Sequence, residues 1–153
     1  SAVVTHAHPQ GVAGAVATAL AAWHAARSRG GPAPDAAGLL EAIGATLSAD
    51  SAVARGLASA RELPSTTPLG EAVDALGNGS RVSCADTVPL ALWLACSHLD
   101  DYPGAVQKAV AAGGDTDTLA AIVGGIVAAR VSSSGIPSRW REGLEPLPPP
   151  LAV

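Results

Sequence analysis

Two aspartates and two threonines occupy the four consecutive positions 115–118, between a glycine pair and an alanine-rich apolar run. Carboxylate and hydroxyl oxygens are the ligands that Mg²⁺, Mn²⁺ and Ca²⁺ prefer, whereas zinc prefers histidine and cysteine. Side chains two residues apart in a helix point about 200° away from each other, so Asp115 and Asp117 cannot converge if both are helical. We therefore expect a sharp turn at the glycines 113–114, where positive φ costs little. If the next helix starts at Thr118, three oxygens can converge on one divalent ion.

A helix cap is the alternative explanation for the same residues. Aspartate is a common N-cap, so one carboxylate can cap the following helix while the other lies on a solvated turn. The helix dipole favours the ionised form of both carboxylates in either case. Spacing alone leaves the metal site and the cap open.

Histidine and cysteine give weaker signals. His6 and His8 form an H-x-H pair, but no cysteine or further histidine lies close in sequence, which disfavours zinc. His24 and His98 lie near predicted helix ends and are expected to meet free carbonyl groups. The two cysteines of the chain are too few for a disulfide framework and are expected to be small buried thiols.

The elements that position these residues are predicted to be helices. Alanine content, capping residues and Gly or Pro breaks predict helices at 9–27, 36–46, 51–60, 68–77, 86–98, 102–113 and 118–131. In this interpretation Asp35, Asp50 and Asp86 are N-caps. Period-two alternation is hard to find and β-branched residues lie among alanines, so strands are not supported. The sequence predicts an all-α fold, an orthogonal helical bundle.

Composition excludes several function classes. The 153 residues are 48% apolar and 14% charged, with nine basic and thirteen acidic side chains, which indicates a globular domain. The net charge of −4 and the absence of a basic block make nucleic acid an unlikely partner, except as a modified substrate. No run approaches the roughly 18 apolar residues of a membrane span. The chain begins without Met or a signal-peptide pattern, and we expect part of a longer, cytoplasmic protein.

Three stretches resemble the ADP-ribosylglycohydrolase family, which includes the dinitrogenase-reductase-activating glycohydrolases. The most specific is GGDTDTLAAIVGGI at 113–126, followed by Gly-Ile-Pro at 135–137 and by Trp140. The others are Thr-His at 5–6 before an alanine-rich helix, and LGNG at 76–79 followed by DTVPLALW. The order of the three stretches along the chain also agrees with the family.

The resemblance implies an all-α fold with two divalent ions, usually Mg²⁺ with Mn²⁺ possible, at the base of a cleft for ADP-ribose. It implies that Asp115, Asp117 and Thr118 are metal ligands from this half of the domain. It implies that His6 lines the ribose or diphosphate side of the cleft, with a histidine that satisfies a helix start as the alternative. Gly113 and Gly114 are the further residues expected at the substrate.

The chain also departs from the family pattern. Family members are about twice as long, and their early Gly-Asp-x-x-Gly helix, their Thr-Asp-Asp metal motif and their catalytic acidic residue have no counterpart here. We therefore predict that residues 1–145 are the C-terminal half of a larger helical domain and that 146–153 is a proline-rich, extended tail. The catalytic residue is expected in the missing N-terminal half, which is then a partner of this chain.

Three functional hypotheses follow. The first is a Mg²⁺-dependent hydrolase that cleaves a glycosidic bond to ADP-ribose and releases it from a modified macromolecule or small molecule. The second is an ADP-ribose-binding module or pseudoenzyme without turnover. The third is a purely structural helical domain in which GGDTDT is only a cap.

Overall fold

Helices form all the regular structure in residues 2–145, the part of the chain that the computed structural model describes. The α-helices are α1 (Pro9–Arg27), α2 (Ala36–Gly44), α3 (Ala52–Glu62), α4 (Leu69–Leu76), α5 (Cys84–Ser97), α6 (Tyr102–Ala111), α7 (Thr116–Val131) and α8 (Ser138–Glu142). Two short 3-10 helices, Ala2–Val4 and Ser133–Gly135, precede α1 and follow α7. The prediction of an all-α helical fold is confirmed. The predicted tail at 146–153 lies outside the described residues.

Helix α5 lies at the centre of the molecule. Every residue from Asp86 to Cys96 is buried, and α1, α2, α3, α4, α6 and α7 all contact this helix. The run from Val88 to Cys96 carries no charged side chain on any face, and a helix of that kind is stable only when other helices surround it. The remaining helices are therefore arranged around α5.

Glycines let two helices approach α5 closely. A Cβ atom at Gly56 of α3 would lie 2.3 Å from Cγ of Pro89, and one at Gly14 of α1 would lie 2.9 Å from Cβ of Cys84. Pro89 lies in the second turn of α5, where the proline gives up the backbone hydrogen bond to the Ala85 carbonyl oxygen. The absence of a side chain at both glycines thus fixes how deeply α1 and α3 pack.

Arg130 joins the C-terminal ends of α7 and α1. Its side chain is 6% exposed and forms an ion pair with Asp100, in which Nε lies 2.7 Å from Oδ1. The guanidinium also donates to the carbonyl oxygens of Ser28 and Gly31, which follow α1. Since the two helices pack against each other and end together, they run parallel, and their N-terminal ends lie at the same end of the molecule.

Three predicted helix starts are wrong. Ser51, not Asp50, caps α3, because its hydroxyl accepts the Ala54 N–H while Gln10 of α1 accepts the N–H of Ala52. Helix α5 begins at Cys84 rather than after Asp86, whose carboxylate turns back and accepts a hydrogen bond from the preceding loop. Helix α7 begins at Thr116 rather than Thr118, because the turn is completed within the two glycines.

Candidate metal centre

The turn between α6 and α7 consists of two consecutive glycines in the left-handed region. Gly113 has φ 68° and Gly114 has φ 66°. Most other residues pay about 1–2 kcal/mol at each such position. The chain therefore reverses within two residues after Ala112, the C-cap of α6, and places Asp115 directly before α7. This confirms the sharp turn that the glycine pair predicts.

The side chains of Asp115, Asp117 and Thr118 lie together at this turn. The Thr118 hydroxyl, and after it the Asp117 carboxyl, hold the pKa of Asp115 below its ordinary value. The Thr118 backbone N–H also approaches the carboxylate, but without the geometry of a capping hydrogen bond. Asp115 has φ −83° and ψ 70°, so it is not helical and its side chain can lie over the first turn of α7. The three residues predicted as metal ligands thus lie at the start of one helix, with Asp115 at its N-cap and Asp117 and Thr118 in its first turn.

Charge at this site is not balanced by a basic side chain. Neither aspartate takes part in an ion pair among residues 2–145. Asp117 and Thr118 are exposed and Asp115 is half-buried, so solvent and ions reach all three. Two carboxylates and a hydroxyl at a helix N-terminus, with no basic partner, form a set that suits a hard cation.

The described part of the chain does not complete a metal site by itself. It contains no group of three or more His, Cys, Asp or Glu side chains that could hold a metal ion. Mg²⁺ takes six oxygen ligands in near-octahedral geometry, and water supplies only some of them. The three side chains of the turn therefore fit part of one coordination sphere, and other ligands must come from water or from further protein.

The loop at Gly77, Asn78 and Gly79 packs directly against this turn. The Asp115 N–H donates to the Asn78 carbonyl oxygen over 3.0 Å, and Asn78 Nδ2 donates to the Ala112 carbonyl oxygen over 3.1 Å. Gly77 ends α4 with φ 83°, as the sequence predicts for a helix end. Sequence reasoning missed these contacts, because no periodicity relates Asn78 to residues 34 and 37 positions further along the chain. The only signal is that both glycine-containing loops follow a helix.

His6 lies at a groove rather than among the acidic side chains. The groove runs between α1 and α7 above Cys84 and Val88 of α5, with a volume of about 720 Å³. Small residues form much of its walls, among them Gly11, Gly14, Ala15 and Ala19 on α1 and Ala121 and Gly125 on α7. Thr118 lies one turn before Ala121, so the candidate ligands lie at the end of the groove where α7 begins. His6 precedes α1, which runs parallel to α7, and so lies towards the same end.

Two of the other histidines, His8 and His98, make contacts at helix ends. His8 is the N-cap of α1, and its Nδ1 accepts the Gln10 N–H over 3.2 Å. His98 Nδ1 lies 2.9 Å from the Leu94 carbonyl oxygen, as expected for a histidine at a helix end. The Nδ1 atom of His8 is therefore engaged at the start of α1.

A comparison with protein families gives one match. The family profile described as ADP-ribosylglycohydrolase matches residues 1–151. An uncharacterized protein from Archaeoglobus fulgidus is 35% identical over 145 residues, which cover 95% of this chain and 44% of that protein. The chain thus spans less than half the length of this relative. No solved structure matches the chain.

Proposed function

Because the chain belongs to the ADP-ribosylglycohydrolase family, we propose that it forms the C-terminal half of a Mg²⁺-dependent hydrolase. The hydrolase cleaves a glycosidic bond to ADP-ribose and releases it from a modified macromolecule or small molecule. The complete domain consists of this chain and an N-terminal half that supplies the catalytic acidic residue. The coverage of the relative, 44% of its length, supports a domain of about twice this size.

One observation carries the proposal: Asp115 holds the N-cap position of α7 but does not cap it. Asp35 and Asp101 hold the same position on α2 and α6, and both accept a backbone N–H, from Gly38 over 2.8 Å and from Gly104 over 3.0 Å. An aspartate whose only role is capping is expected to do the same. The Asp115 carboxylate instead gathers with Asp117 and Thr118, which favours a ligand role over the cap.

The residues present determine how a cation would be held. Asp115, Asp117 and Thr118 would each give one oxygen to a divalent ion, with water and the N-terminal half completing one or two coordination spheres. When bound, the metal supplies charge that orients the ribose hydroxyls and lowers the pKa of a water molecule. The helix dipole of α7 favours negative charge at this helix start without a basic partner. This chain therefore positions the ion, and proton transfer falls to the other half.

We assign substrate contact to His6 and to the glycines of the turn. His6 is exposed, and its Nδ1 lies 2.9 Å from the Thr5 hydroxyl, which orients the ring and leaves Nε2 facing away from that contact. Gly113 presents backbone without a side chain, so the diphosphate or ribose can approach closely, whereas Asn78 fills the space where a side chain on Gly114 would lie. Each of these residues contributes to ADP-ribose binding and not to metal binding.

Release of ADP-ribose across a Mg²⁺ titration tests the proposal in the complete domain. Asp115→Asn and Asp117→Asn should each lower release at least about 100-fold, since loss of an outer-shell partner alone costs about 10- to 100-fold. His6→Ala should raise KM about tenfold, the worth of one hydrogen bond to a charged group, and leave the Mg²⁺ dependence unchanged. Asp74→Asn is the matched control, because Asp74 is exposed on α4 and should have no effect.

Two results would contradict the hydrolase. The first is release of ADP-ribose without Mg²⁺, and the second is undiminished release by both aspartate variants. Calorimetric binding of ADP-ribose without release from any modified substrate would instead support the binding module. Absence of both binding and release would support the purely structural domain.

A further inference from the structure

Asn78 joins three segments of the chain at the candidate metal centre. Its carbonyl oxygen accepts the Asp115 N–H over 3.0 Å. Its Nδ2 donates to the Ala112 carbonyl oxygen over 3.1 Å, and thereby ties the end of α6 to the same loop. The loop and the glycine turn are thus held together from both sides of Gly113 and Gly114.

The two loops also interlock sterically. A Cβ atom at Gly114 would lie 2.4 Å from the Asn78 carbonyl oxygen and 2.5 Å from its Oδ1. A Cβ atom at Gly79 would lie 2.6 Å from the Cβ atom of Asp115. Real side chains do not approach so closely, so both glycines are required for the contact. Asn78 therefore occupies the space that a side chain on the turn would need.

Asp86 of α5 anchors the Asn78 loop through hydrogen bonds. This carboxylate is 6% exposed and accepts the Arg81 N–H over 2.8 Å, and its backbone oxygen accepts the Gly79 N–H over 3.0 Å. A Cβ atom at Gly77 would lie 2.1 Å from Oδ1 of Asp86, so the loop is seated directly on this residue. Since Asp86 belongs to the central helix α5, the loop is fixed to the core of the molecule.

We propose that Asn78 is a positioning residue of the metal centre, which sets the location of Asp115 through its hydrogen bonds and contacts with the glycine turn. The proposal deepens and rests on the proposed function, because it assigns this role at the same site. Asn78 is not a candidate ligand itself; it contacts the candidate ligand Asp115 and restricts the movement of that residue. Partners of this kind, which orient metal ligands from outside the coordination sphere, contribute about 10- to 100-fold to metal affinity.

Asn78→Ala tests the proposal, with Trp93→Phe as the matched control. Asn78→Ala removes one hydrogen bond from a side chain to a distant backbone carbonyl. Trp93→Phe removes a bond of the same kind, from Nε1 to the Leu63 carbonyl oxygen over 3.0 Å, away from the turn. Both variants are made in the complete domain. A general loss of stability would appear in both variants, whereas a local effect at the turn would appear only in Asn78→Ala.

The first measurement is amide hydrogen exchange at Asp115, read by NMR without metal. In Asn78→Ala the exchange of the Asp115 N–H should speed up at least about tenfold more than in Trp93→Phe, because the accepting carbonyl is no longer held in place. Equal exchange at Asp115 in both variants would overturn the proposal. This measurement decides the positioning role whether or not the protein binds a metal.

The second measurement is Mn²⁺ affinity, read by electron paramagnetic resonance. Asn78→Ala should weaken binding about 10- to 100-fold, Trp93→Phe should not, and ADP-ribose release by Asn78→Ala should recover at saturating Mn²⁺. Unchanged Mn²⁺ affinity in Asn78→Ala, beside a wild type that binds Mn²⁺, would overturn the positioning role. A wild type that binds no Mn²⁺ would contradict the proposed function and, with it, the assignment of Asn78 to a metal centre.

Discussion

Asp115 differs from the other aspartates at helix starts in what its carboxylate contacts. Asp35 and Asp101 each accept a hydrogen bond from the first turn of their helix. Asp115 makes no such bond, and its carboxylate lies with Asp117 and Thr118. A residue that selection kept only for helix stability would use its oxygen on the backbone. The difference is the observation on which the proposed ligand role of Asp115 rests.

Stability measurements can test this distinction. Asp35→Ala and Asp101→Ala should each lower the free energy of unfolding by about 1 kcal/mol, because each removes a capping hydrogen bond. Asp115→Ala should change the free energy of unfolding by less than about half as much when metal is chelated. Urea denaturation of the complete domain in excess chelator measures all three variants. An equal loss for Asp115→Ala and Asp35→Ala would identify Asp115 as an ordinary cap.

At the residue scale, the sequence predicts the turn at 113–114 but not the Asn78 loop that packs against it. The glycine pair and the alternation of aspartate and threonine predict the reversal at 113–114, because Asp115 and Asp117 would point away from each other within one continuous helix. The contact between Asn78 and Asp115 depends on two loops that meet only after α5 and α6 are packed. Local patterns carry no information on such a meeting. The sequence likewise places Arg130 in the last turn of a helix but does not show that its side chain is buried among backbone carbonyls.

At the element scale, the helices follow from local chemistry while their order in space does not. Alanine-rich runs, caps and glycine ends gave the helix Pro9–Arg27 to the residue. The N-cap prediction is wrong where aspartate and serine are neighbours, as at Asp50 and Ser51. Tertiary contacts decide between the two residues, and here the Gln10 side chain accepts the N–H of Ala52. Helices α1, α5 and α7 are all apolar on most faces, and sequence alone does not show that α5 is the one at the centre.

The close crossing of α3 and α5 gives a prediction about helix packing. Gly56→Ala should lower the free energy of unfolding by about 1–3 kcal/mol, because the new methyl group overlaps Pro89 and one helix must move away. Gly70→Ala on α4 is the matched control, because a Cβ atom at Gly70 would have no neighbouring atom within 4 Å. It should raise the free energy of unfolding by up to about 1 kcal/mol. Urea denaturation of both variants checks the difference, and a stabilised Gly56→Ala would show that α3 does not approach α5 as described.

At the scale of the whole molecule, packing within residues 2–145 leaves the groove between α1 and α7 uncovered. Val16 and Trp23 on α1 are also exposed, at 40% and 52%. Contiguous exposed apolar surface can mark an interface with another part of a protein. We expect the N-terminal half of the domain to cover it. None of the described helices is long and apolar enough to cross a membrane.

The isolated chain should therefore associate with itself or bind hydrophobic dyes through this groove. Ala19→Glu places a charge on the wall that α1 contributes, and should reduce association of the 153-residue chain at least about tenfold. Ala26→Glu, two turns further along α1 and outside the groove, is the matched control and should leave association unchanged. Sedimentation velocity over a concentration series measures both. A chain that stays monomeric and binds no dye would count against an uncovered interface.

The location of a bound Mn²⁺ ion tests the proposed metal centre most directly, and anomalous scattering from a crystal of the complete domain grown with Mn²⁺ and ADP-ribose determines it. We expect an anomalous peak within about 2.5 Å of side-chain oxygens of Asp115, Asp117 and Thr118. We also expect the peak to lie beside the ribose of the bound ligand. A peak elsewhere, or an Asp115 carboxylate bonded to the N–H groups of α7 with no metal beside it, would contradict the proposed metal centre.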